Sequence, residues 1–156
     1  MSLGGGGGGE MREVQEQMEA LEQQATALRE EVQDLRDEKT EIDEAIEALD
    51  ALDDGSTVQV PVGGDAYVRA EVEDMEEIIV SLGGGYAAEL GEDEAVDTLE
   101  NKQDTIDDRI SDLQDEIADV ESEVAELEQK AQQLQQQQLQ QLQQQQQGGG
   151  PDLGGE

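Results

Sequence analysis

The chain contains no cysteine and no histidine. The first absence excludes a disulfide framework, thiol chemistry and a thiolate metal site. The second removes the commonest general base and the commonest zinc ligand. Tryptophan and phenylalanine are missing too, and the aromatic residues are Tyr67 and Tyr86 alone. With 156 residues of this kind, an ordinary globular core is out of reach. Buried area must come from Leu, Ile and Val in seams and from contact with other chains. No apolar run approaches membrane-spanning length. The head, Met1 to Gly9, has neither the basic nor the apolar region of a secretory signal. No membrane partner is expected, and a cytoplasmic location follows by default.

Positive charge is also scarce. Eight Lys and Arg face 42 Asp and Glu, a formal net charge of −34. Binding nucleic acid requires Lys and Arg to neutralise phosphates, so the balance argues against such a partner. The acid is spread over the long patterned segments instead of a tail. That points to adaptation to a salt-rich cytoplasm, as in halophiles, because self-repulsion falls as salt shortens the screening length. The fold is expected to need molar salt.

What the chain has in abundance is periodicity. With Met11 at position a, the first run places Met11, Met18, Ala25, Val32, Lys39 and Ile46 at a, and Val14, Leu21, Leu28, Leu35, Ile42 and Leu49 at d. The second places Val96, Gln103, Ile110, Ile117, Val124 and Ala131 at a, and Leu99, Ile106, Leu113, Val120, Leu127 and Leu134 at d. A sustained heptad makes a narrow stripe that another helix must bury. Helices are therefore expected over residues 10–54 and 92–134. Gly55 suits the left-handed position after the first helix, and Glu92, Asp93 and Glu94 suit the N-terminus of the second.

Between them the period changes to two. Val58, Val60 and Val62 alternate with Gln59 and Pro61, and Ala66 to Val72 alternate likewise. Ile78 to Leu82 and Tyr86 to Leu90 form a second pair around Gly83-Gly84-Gly85. Residues 57–91 thus read as two tandem β-hairpins, joined by a short acidic connection, Glu73 to Glu76. Pro61 lacks an amide donor and indicates an edge or a bulge. Two isolated hairpins are marginal, so their apolar residues (Val58, Val60, Val62, Val68, Ile79, Val80, Leu82 and Tyr86) are candidates for oligomerisation. Residues 1–9 are glycine-rich and residues 135–156 are Gln/Gly-rich. The head is expected to be flexible, the Gln tract to be a frayed helix or spacer, and the Gly-Pro segment to stop any helix.

The fold class that follows is α+β: a long antiparallel two-helix coiled coil with two hairpins inserted between the helices. Layering a against d places Ile46 beside Leu99, Ala25 beside Val120 and Met11 beside Leu134. Leu139 and Leu142 then lie past the paired part, without an apolar partner in the chain. Met11 and Met18 read equally well as seam residues or as adaptable contacts at the open end. Lys39 is expected to pack its stem and extend its ammonium to acids such as Glu38 or Glu41.

Chemical motifs are weak. Asp50 to Pro61 fails as a calcium loop, with Leu52 at the third position and Pro61 at the twelfth. Gly83-Gly84-Gly85 lacks the Gly-Lys-Ser/Thr of a phosphate loop and precedes a strand. No carboxylate pair is marked out for a desolvated pocket. The sequence points to no enzyme, cofactor or metal.

Val58-Gln59-Val60-Pro61-Val62-Gly63-Gly64, Ala66-Tyr67-Val68, Ile79-Val80-Ser81-Leu82-Gly83-Gly84-Gly85-Tyr86 and Glu89, read with the flanking helices, resemble the archaeal prefoldin family in its alpha-type, two-hairpin layout. The resemblance covers roughly residues 10–135. It implies a hexamer of two alpha-type and four beta-type subunits, with hairpins forming a platform of β-barrels and coiled coils projecting as tentacles. It further implies an ATP-independent chaperone that holds unfolded protein and passes it to a group II chaperonin. In that family the tentacle ends carry the client contacts, which here map onto Met11, Val14, Met18, Leu134, Leu139 and Leu142. The glycine-rich head, the Gln tract and the Gly-Pro tail depart from the family pattern. A coiled-coil oligomerisation scaffold without client binding is the alternative.

Overall fold

The computed structural model describes the backbone of residues 2–154 and the side chains of residues 8–145. Its elements run α1 (Ser2–Ala51), β1 (Thr57–Gly63), β2 (Ala66–Glu71), β3 (Ile78–Gly83), β4 (Tyr86–Leu90) and α2 (Glu92–Gly154). The chain divides into two compact units. One comprises residues 32–111, with the hairpins and the adjoining parts of both helices; the other comprises residues 1–31 and 112–156.

In the hairpin unit the seam follows the heptads. Val32, Ile42, Ile106 and Ile110 are buried, and Leu35, Ile46, Leu49, Val96 and Leu99 are half-buried. Each large aliphatic side chain removed from water contributes roughly 1.5–3 kcal/mol. Two consecutive layers are mixed. The expected register sets Lys39 against Ile106 and Gln103 against Ile42, and the polar side chains are satisfied across the helices. Lys39 Nζ lies 2.6 Å from Asp107 Oδ1. Gln103 Nε2 donates to the Lys39 carbonyl at 3.1 Å and to Asp43 Oδ1 at 2.6 Å. Lys39 therefore reaches the opposing helix and not Glu38 or Glu41. Residues one or two apart on a helix do not face each other, so those acids were the wrong partners to expect. A polar pair that bonds only in one alignment favours that register over one shifted by a heptad.

The unit of the chain ends has a seam built on the same heptad pattern. Val14, Ala25, Leu113, Val120 and Leu134 are buried, Leu113 completely. Ala25 and Val120 line one groove, as the expected layering requires. Arg29 and Glu121 pair at 2.5 Å, but both side chains are more than half exposed and the pair adds little stability.

Helical backbone exceeds the heptads at both chain ends. It begins at Ser2, through the glycines expected to be flexible, and it passes Gly148-Gly149-Gly150-Pro151, which was expected to stop it. Glycine and proline are poor helix formers, but lengthening a formed helix needs no new nucleus. Met1, Gly155 and Glu156, the outermost residues of the expected flexible ends, lie outside the described residues. At the other end α1 stops at Ala51, a few residues short of the expected boundary. Gly55 has φ +83°, and its amide donates to the Val72 carbonyl at 2.7 Å.

Both hairpins close on two-residue turns. Gly64-Asp65 links β1 to β2 and Gly84-Gly85 links β3 to β4. All four turn residues have positive φ, the signature of the turn whose twist matches paired strands. Each hairpin carries one unpaired extra residue before its turn, Val62 in β1 and Leu82 in β3. Pro61 sits beside the first of these bulges, as its missing amide suggests.

Candidate functional site

Register determines which hairpin residues share a face, because directly opposed residues in an antiparallel pair point the same way. In the first hairpin Val58 faces Ala70 and Val60 faces Val68. The opposite face carries Gln59 with Arg69 and Pro61 with Tyr67. The chain half-covers Val58 and Ala70, while Val60, Val62, Val68 and Tyr67 are exposed. An apolar face without a covering layer is incomplete as it stands.

The second hairpin is seated more firmly. Ile78 faces Leu90 and Val80 faces Ala88, and this face is turned inward: Val80 is 6% exposed and the other three are half-buried. Lys102 Nζ on α2 donates to the Ser81 carbonyl of β3 at 3.0 Å. On the other face Ile79 is 74% exposed, and near the turn Tyr86 is 75% exposed and Leu82 is exposed as well. Val80, grouped with the oligomerisation residues on sequence, thus belongs to the chain's own core. Strand alternation puts it on the face opposite Ile79, but does not by itself say which face the chain covers.

The segment between the hairpins is also structural. Met75 is buried, and its amide donates to Asp54 Oδ1 at 2.7 Å, tying the connection to the end of α1. The Glu76 amide bonds Asp74 Oδ1 at 2.9 Å, a local turn. Surrounded by acids, Met75 reads as a linker residue. The signal that could have found it is a lone large apolar side chain in an otherwise acidic run. Tyr67 is exposed, and alternation assigns it to the polar face, so periodicity alone does not mark it as apolar surface.

Of the residues mapped to the chain ends, Val14 and Leu134 are buried in the seam and Met11 and Met18 are half-buried. Leu139 and Leu142 are 59% and 55% exposed, set among exposed glutamines on α2. The seam therefore ends at Leu134, and the apolar surface available in this unit lies beyond it. Each hairpin is a separate two-stranded sheet, and among the described residues no further strand pairs with its outer edges. Among the described residues no group of three or more acids is placed to hold a metal ion. Among them, too, no helix is long and apolar enough to cross a membrane.

Residues 14–137 match the family model described as prefoldin subunit. The prefoldin alpha subunit of Halobacterium salinarum is 60% identical over 103 residues, covering 66% of this chain and 67% of that protein. That of Haloarcula marismortui is 63% identical over 59 residues, 38% of each chain. The match thus spans well under half of the Haloarcula subunit and about two thirds of the Halobacterium one. Among solved structures, a chain of filamentous prefoldin from Methanocaldococcus jannaschii superposes with a TM-score of 0.50 at 29% identity, over 74% of this chain and 93% of that one. Two long helices with two hairpins between them agree with that solved chain, and the chain belongs to the prefoldin subunit family, as an alpha-type subunit of haloarchaeal kind.

Proposed function

We propose that the chain is the alpha-type subunit of an ATP-independent chaperone, joined through its hairpins to other prefoldin subunits and binding unfolded protein near its chain ends. The carrying observation is where apolar surface is left uncovered. In one unit it lies on hydrogen-bonded strands with free edges; in the other it lies on helix beyond a closed seam. Strands with unfilled apolar faces suit lasting assembly by barrel closure or strand addition. Two half-exposed leucines on a helix suit weak contacts, which several arms would sum into avidity. The reading extends to two alpha-type and four beta-type subunits, and to release of clients to a group II chaperonin.

The test combines the chain with a beta-type subunit in molar salt and follows composition by native mass spectrometry and client protection by light scattering. A complex of two and four subunits that keeps a denatured client from aggregating without ATP is the expected result. Truncation after Leu134 should leave the complex and remove most of the protection. A complex that assembles but protects nothing would contradict the reading. The filamentous state of the Methanocaldococcus protein favours a second reading, a self-associating scaffold. That reading requires large assemblies of this chain alone.

A further inference from the structure

Charge is distributed unevenly in this acidic chain. All eight Lys and Arg, and every acid except Asp152 and Glu156, lie between Glu10 and Lys130. From Ala131 to Pro151 no residue has a charged side chain, nor does any from Met1 to Gly9. The uncharged part of α2 coincides with the end of the seam. Beyond Leu134, every residue from Gln135 to Gln145 is exposed, Leu139 and Leu142 included. On α1, Gly8 and Gly9 are exposed and have open space where a side chain would be. The region proposed to meet clients is thus the one long stretch of the sequence freed of acid.

We infer that this uncharged segment admits as clients, without repelling them, unfolded polypeptides of net negative charge. The inference rests on the chaperone reading above. A chain at −34 implies a compartment where acid is tolerated because salt is high. At about 1 M salt the screening length is roughly 3 Å. Acids along the helices are then nearly invisible to a client, and only groups in direct contact still repel it. Like charges placed face to face cost several kcal/mol and reject a partner. A contact surface of glutamine, leucine and glycine removes that term where it remains. Glutamine amides also both donate and accept hydrogen bonds, so they can engage exposed backbone of any sequence. Leu139 and Leu142 receive apolar side chains.

The test uses the assembled complex in molar potassium chloride and a labelled, permanently unfolded polypeptide, reduced and carboxymethylated α-lactalbumin, beside the same polypeptide with its carboxyls amidated. Fluorescence anisotropy reads binding, and circular dichroism and native mass spectrometry check each complex. The native chain should bind both forms with affinities within about threefold, since no contact charge discriminates between them. The variant Gln136→Glu/Gln140→Glu/Gln143→Glu should lose about tenfold or more for the acidic form alone. Gln136→Lys/Gln140→Lys/Gln143→Lys should favour the acidic form, which covers the case in which the glutamate variant fails to assemble. If the native complex binds the amidated form but not the acidic one, or if both variants bind both forms as it does, the client class is wrong while the chaperone reading stands. If the native complex binds neither form, both readings fall.

Discussion

Among the described residues apolar surface is uncovered in two places, and the two differ in kind. In the hairpins it is β-branched and aromatic, held on strands by ladder hydrogen bonds, with Val60 and Val68 opposed and Ile79 and Tyr86 about three-quarters exposed. Beyond the seam it is two leucines on a helix, spaced by uncharged amides. Rigid, shaped surface selects one partner, whereas sparse apolar contact on an adaptable background accepts many. On the proposed function, one chain supplies both a permanent joint and a transient grip.

Substitutions in the hairpin block should separate the residues of the chain's own core from those of the uncovered face. Val80→Asp should have the largest effect. It buries a carboxylate on the inward face of the second hairpin and should destabilise the isolated subunit by about 3 kcal/mol or more, seen as loss of a cooperative thermal transition. Met75→Ala, at the other buried position of the hairpin block, should cost about 2–4 kcal/mol in the same measurement. Asp54→Ala removes the bond to the Met75 amide and should cost about 1 kcal/mol. Val68→Asp should change subunit stability by no more than about 0.5 kcal/mol. It should nevertheless abolish assembly with other prefoldin subunits, because it charges the face proposed to be covered by them. If Val68→Asp unfolds the subunit, or Val80→Asp melts as the native chain does, the division between own core and joint is misplaced.

The heptads disclosed the seam almost completely: every a and d position from Met11 to Leu49 and from Val96 to Leu134 is buried or half-buried. Glycines placed the hairpin turns, because only residues tolerant of positive φ fit there. Three features were less legible, each for a physical reason. Lys39 has its partner Asp107 on the other helix, and a search along its own helix misses it. Val80 and Ile79 are neighbours of equal hydrophobicity, and only packing against the rest of the chain separates core from surface. Met75 and Gly91 owe their positions to contacts between segments: Met75 bonds Asp54, and a Cβ on Gly91 would come within 2.6 Å of a Glu76 carboxylate oxygen. Of the mapped client residues, Leu139 and Leu142 are the two left open, and the break in heptad phase after Leu134 already marked them.

If joint and grip are separable, the double substitution Leu139→Ser/Leu142→Ser in the assembled complex should affect only the grip. Native mass spectrometry and client protection would be read on the same sample. The complex and its melting temperature should be unchanged and protection weakened several-fold. Protection equal to that of the native complex, or a complex that falls apart, would contradict that separability.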